Sequence, residues 1–119
     1  YTANPLACSA AVTSLQLLKS SECQNSIKSL SGMHKKGIES LRLECPRIEK
    51  TRMIGTIAAF DIKNALHLIP SLKQCFFEQG MLLRPLGNTV YLLPPYCITN
   101  QEIELVYSKI ANIINSLDL

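Results

Sequence analysis

Apolar and polar positions along this chain recur with two different periods, and each change of period marks an element. Asn4-Pro5 pairs an N-cap residue with proline at the first helical position, a preferred helix opening. Ala7, Cys8, Ala11, Val12, Leu15 and Leu18 then recur at helical spacing. Ser21 and Gln24 have the spacing of a capping box for a second helix. Its stripe runs through Cys23, Ile27, Leu30, Ile38 and Leu41, with His34 among them. Gly32 and Gly37 each weaken it by about 1 kcal/mol against alanine, if interior. Cys45-Pro46 stops it.

From Arg52 to Ile62 the pattern predicts one long strand. Ile54, Thr56, Ala58, Phe60 and Ile62 share a face, and Gly55 marks a bulge or a close approach. A third helix is expected from about Pro70 to Gln79, burying Leu72, Cys75 and Phe76, with Gly80 as its left-handed C-terminal residue. Leu82–Leu86 and Thr89–Leu93 read as two short strands joined by Gly87-Asn88, a hairpin signal, and Pro94-Pro95 ends the second. Thr99 and Glu102 form a capping box. Ile103, Val106, Ile110, Ile113 and Leu117 follow at spacings of 3, 4, 3 and 4. The expected fold is α+β, a small antiparallel or mixed sheet covered by helices.

Arg84 stands between two apolar runs that read as buried strands, where an arginine is seldom left unpaired. Its planar guanidinium offers a two-pronged donor fork suited to a carboxylate. Asp61 or Glu78 could supply that carboxylate from within the fold, or a ligand could. The pattern alone leaves both readings open. Tyr91 lies in the same hairpin, on a face the pattern does not assign. There it is either core with a satisfied hydroxyl or a ligand contact.

The chain has 119 residues, 47% hydrophobic and 18% charged, which sets the scale at one globular domain. Its net charge is +3 and its basic residues are scattered apart from Lys35-Lys36, too dilute for a nucleic-acid footprint. No apolar run reaches the roughly 20 residues that span a membrane. Five cysteines without Cys-x-x-Cys spacing argue against a disulfide framework and a zinc site, and suit a reducing cytosol. The chain opens on Tyr1 without an initiator methionine, so an excised piece of a longer protein is expected.

Catalytic patterns are sparse. There is no Gly-rich phosphate loop and no nucleophile elbow. His34 and His67 lack metal-ligand spacing, and His34 belongs to the helical stripe. No lysine is flanked as a desolvated Schiff-base lysine would be. Alone, this chain does not read as a complete active site.

Two segments together carry a resemblance. Tyr1-Thr-Ala-Asn-Pro-Leu-Ala-Cys8 resembles the segment just after the phosphate-contacting Ser/Thr of class III, pyridoxal-phosphate-dependent aminotransferases. Arg84-Pro-Leu-Gly-Asn-Thr-Val-Tyr-Leu-Leu-Pro-Pro-Tyr96 is similar to the branch of that class that serves biotin synthesis. The likeness extends over the whole chain, including Phe76-Phe-Glu-Gln-Gly80 and Ile54-Gly55.

The resemblance implies that residues 1–119 are the C-terminal small domain of a fold-type I aminotransferase, with 1–20 as a helix linking to an upstream large domain. It implies that Arg84 binds the substrate carboxylate and that Tyr91 lines the same pocket. Tyr1 and Thr2 would lie beside the phosphate site of pyridoxal 5'-phosphate, completed across a homodimer. The activity it implies is cytoplasmic transfer of the amino group of S-adenosylmethionine to 8-amino-7-oxononanoate, giving 7,8-diaminononanoate. The Schiff-base lysine, the aspartate facing the pyridine nitrogen and the phosphate-contacting Ser/Thr would all lie upstream of Tyr1, so the fragment alone is expected to be inactive. Alternatives are a class III enzyme acting on ornithine, acetylornithine or an ω-amino acid, or a free-standing carboxylate-binding module.

Overall fold

Asn4 opens the first helix in the computed structural model, which describes residues 2–117 except for the side chain of Leu66. Its side chain accepts a hydrogen bond from the Leu6 amide at 3.0 Å, and α1 runs over Pro5–Lys19. None of its residues is buried. Val12, Leu15 and Leu18 are exposed, so its apolar stripe has no partner among the described residues.

Helix α2 spans Ser21–Glu44 without interruption at either glycine. Its cap is Ser20, one residue before the expected Ser21. Ser20 Oγ accepts from the Cys23 amide at 3.2 Å, while the Gln24 side chain donates back to the Leu18 carbonyl. Leu30, His34, Ile38 and Leu41 form its buried stripe.

The expected long strand is instead a hairpin. Strand β1 covers Ile48–Ile54 and β2 covers Ile57–Ile62, pairing antiparallel. Gly55, at φ +54°, is the first of the two turn residues, where primed hairpin turns need a positive φ. Ala58, Phe60 and Ile62 share a buried face as expected. Ile54 belongs to the other strand and is 77% exposed.

A short 3-10 turn at Leu66–Leu68 leads into α3, Ile69–Glu78, which buries Leu72 and Phe76 and half-buries Cys75. Strand β3, Thr89–Leu92, adds to the other edge of β2, giving an antiparallel sheet of order β1-β2-β3. The expected strand at Leu82–Leu86 is reduced to one bridge, Leu86 to Thr89. Pro85 has no N–H to donate to a ladder.

Helix α4, Asn100–Ser116, starts at the expected capping box. Thr99 Oγ1 accepts from the Glu102 amide at 3.2 Å and the Glu102 carboxylate accepts from the Thr99 amide at 2.8 Å. Ile103, Ile110 and Ile113 are buried, with Tyr107 and Ile114 beside them. The core lies between one face of the sheet and helices α2, α3 and α4, with Phe60, Val90, Leu30, Phe76 and Ile110 at its centre.

Two of the contacts between α2 and α4 centre on Tyr107. Tyr107 Oη and His34 Nδ1 are 2.7 Å apart, with the rings edge to face. A Cβ on Gly37 would come within 2.3 Å of the Tyr107 ring, so only glycine permits this approach. All five cysteines are free thiols, of which Cys45 alone is buried. Among the described residues no helix is long and apolar enough to cross a membrane.

Candidate functional site

The segment that carries Arg84 is launched by the end of α3. The Gly80 amide donates to the Phe77 carbonyl at 2.9 Å and the Met81 amide to the Phe76 carbonyl at 2.8 Å, with Gly80 at φ +78°. This is a Schellman turn, completed by buried Met81 beside Phe76. Residues 82–85 then run without a sheet partner. Leu86 and Thr89 exchange backbone bonds of 2.8 and 3.1 Å around the Gly87-Asn88 turn.

Arg84 is therefore exposed rather than buried between strands. Neither of its candidate internal partners meets it. Asp61, 8% exposed on β2, lies 3.0 Å from Arg52 and 3.7 Å from Lys50, and accepts from Thr89 Oγ1 at 2.7 Å. The Thr89 hydroxyl, and then the Arg52 guanidinium, hold the Asp61 carboxyl below its usual range. Glu78 accepts instead from the Gln74 side chain, one turn back on α3. Among the described residues, Arg84 forms no ion pair.

Arg84 and Tyr91 line one cavity of about 500 Å³. Tyr91 lies on the sheet face turned away from the core, while its neighbours Val90 and Leu92 point inward. Leu82, Leu83, Leu93 and Pro94 form apolar walls, and Ile103 and Val106 of α4 also line it. No acidic residue lines the cavity, so Arg84 sets its field unopposed. One cation, one phenol and apolar walls suit a carboxylate on an aliphatic body.

Thr2 does not join this group. It sits at φ +39° in the turn before α1, exposed and outside the Arg84 cavity. Tyr1 lies outside the described residues. Arg52 is the residue the sequence reading missed. Reading Arg52–Ile62 as one strand placed it nine residues from Asp61 on a single strand, whereas the hairpin sets Arg52 opposite Ala59 and lets its guanidinium reach diagonally to Asp61 at 3.0 Å.

The chain matches the family described as aminotransferase class-III over residues 1–114, and it belongs to that family. Within it, the chain is 41% identical to adenosylmethionine-8-amino-7-oxononanoate aminotransferase of Synechococcus elongatus, over 98% of this chain and 28% of that protein. The solved structure of the same-named enzyme from Methanocaldococcus jannaschii superposes with a TM-score of 0.85 at 23% identity, covering 98% of this chain and 28% of that one. An acetylornithine aminotransferase from Elizabethkingia anophelis gives 0.84 at 26% identity, covering 96% and 29%. The chain thus spans a little over a quarter of the length of the relatives it matches.

Pyridoxal phosphate needs a lysine for its Schiff base, an acidic or basic partner at the pyridine nitrogen and donors for its phosphate. Among the described residues every lysine is exposed or half-buried, and the buried Asp61 is already committed to Arg52 and Thr89. These residues do not hold the cofactor by themselves.

Proposed function

We propose that this chain is the carboxylate-gripping part of a pyridoxal-phosphate-dependent aminotransferase of biotin synthesis. The observation that carries the reading is Arg84: exposed, with its fork uncommitted, lining a mainly apolar cavity that it shares with Tyr91. In 8-amino-7-oxononanoate the reacting carbonyl lies far along an unbranched chain from the carboxylate. Arg84 would take the carboxylate in a two-pronged grip and the leucine walls would take the chain. The Tyr91 hydroxyl would offer a further hydrogen bond within the same cavity. Fixing one end of the substrate in this way presents the other end in a set orientation, which is how a binding residue lowers a barrier without touching the reacting atoms.

In this reading residues 1–119 form the C-terminal small domain and 1–20 link it to a larger upstream domain. The share of each relative that the chain spans supports this. The unpartnered stripe of α1, with Val12 and Leu15 exposed, fits the same arrangement. The cofactor's lysine, its pyridine partner and its phosphate contacts come from upstream, with Tyr1 and Thr2 beside the phosphate in a cytoplasmic homodimer. The amino donor is S-adenosylmethionine.

The test is an amino-transfer assay on the full-length protein loaded with pyridoxal phosphate. It should convert 8-amino-7-oxononanoate to 7,8-diaminononanoate with S-adenosylmethionine as donor. Turnover of acetylornithine or ornithine in its place would move the protein to another branch of the class. No transfer to any carboxylate-bearing acceptor would leave only the binding module.

A further inference from the structure

We propose that Lys109 is a positioning residue for Arg84, acting through the end of α3; this rests on the reading of Arg84 as the carboxylate anchor. Residues 82–85 have no sheet partner, so the place of Arg84 is set by the two ends of its segment and by Leu83, which packs against the core between them. The far end is held by the Leu86–Thr89 backbone pair. The near end leaves α3 at Gln79 and Gly80, and there Lys109 Nζ donates to the Gln79 carbonyl at 2.7 Å.

That carbonyl belongs to the last turn of a helix, where carbonyls lack intrahelical partners and the helix dipole favours a cation. The last turn of α3 carries no basic residue of its own, so the cation comes from α4. Ile103 and Val106 wall the Arg84 cavity, and Lys109 follows Val106 by three residues, on the same side of α4. One helix therefore lines the cavity and fastens the start of the strand-free segment. Lys109 is half-buried, so its stem is packed while its ammonium reaches the carbonyl.

Without this bond the near end is held only by the turn's own backbone bonds and by Met81, and a displacement passed along four residues moves the guanidinium relative to the apolar walls. Carboxylate binding depends on that relation. Binding of the chain alone does not.

The test is calorimetric titration of the full-length protein with octanoate, and with 1-octanol as the same chain without a carboxylate. Lys109→Met keeps the stem and removes the donor; Lys109→Arg restores a donor; Arg84→Ala removes the anchor. Lys109→Met should weaken octanoate about tenfold, the scale of one misplaced hydrogen-bonding contact, and leave 1-octanol unchanged. Lys109→Arg should recover most of the loss. Octanoate bound as in the parent by Lys109→Met, but lost in Arg84→Ala, would overturn the positioning role alone. An equal loss for octanoate and 1-octanol, or a loss that Lys109→Arg does not repair, would reduce Lys109 to general stability and overturn it too. Parent-like octanoate binding by Arg84→Ala would remove the anchor itself, and the positioning role with it.

Discussion

Arg52 lies 3.0 Å from Asp61 across the β1–β2 pair, and this contact takes up the carboxylate that is buried among the described residues and that Arg84 could have used. Thr89 Oγ1 donates to the same carboxylate at 2.7 Å, so Asp61 ties all three strands together on the outer face of the sheet. Asp61→Ala should destabilise the fold by about 1–2 kcal/mol, measured by urea unfolding. The figure is modest because the Arg52 side chain is 49% exposed and returns to water when its partner goes. The depressed pKa gives the sign of the pH effect: Asp61 contributes stability above its unfolded value of about 4, lost as pH falls through the lower folded value.

Gly37 should resist any enlargement. An alanine there places its Cβ 2.3 Å from the Tyr107 ring, and the ring cannot retreat without releasing His34. Gly37→Ala should lower stability by about 1–3 kcal/mol, the range of an overpacked core position. In a Tyr107→Ala background the same change should cost far less. Equal costs in both backgrounds would detach Gly37 from the ring.

His34 predicts a second pH dependence, in a separate range. It is fully buried; burial lowers its pKa, and the Thr56 backbone in the β1–β2 turn offsets part of that. Its Nε2 makes no well-formed hydrogen bond. With the ring neutral, the Tyr107 hydroxyl can donate to Nδ1. Below about pH 6.5 the unfolded chain takes up a proton that the folded chain resists, so stability falls on acidification. The slope from this residue is at most about 1.4 kcal/mol per pH unit. Denaturant unfolding between pH 7.5 and 5 should show it, and His34→Gln should flatten it.

The four helices were legible because their signals are local. Asn4-Pro5, the Thr99–Glu102 box and the spacing of Ile103, Val106 and Ile110 need no knowledge of the rest of the fold. The sheet was harder. Arg52 to Ile62 is a mostly apolar run with one glycine, and period alone cannot tell a bulge from a turn; the positive φ of Gly55 makes it a turn. Arg84 was expected between two strands because Leu82, Leu83 and Leu86 read as strand residues. Pro85 denies that segment its ladder, and Leu82 and Leu86 are exposed. Its cavity with Tyr91 depends on how β3 and α4 pack, which no local pattern records. Lys109 gave no signal at all: its partner is a backbone carbonyl 30 residues away.

In the proposed function the Arg84 guanidinium serves a ligand and not the fold. That reading is tested most directly by measuring stability and carboxylate binding side by side in Arg84→Ala of the full-length protein. The account predicts a change in unfolding free energy within about 0.5 kcal/mol, as for an exposed unpaired side chain. It also predicts that KM for 8-amino-7-oxononanoate rises about a hundredfold, the scale of a lost two-pronged, charge-assisted contact. A loss of about 3–5 kcal/mol in stability with affinity unchanged would be the mark of a broken buried pair, and would contradict it.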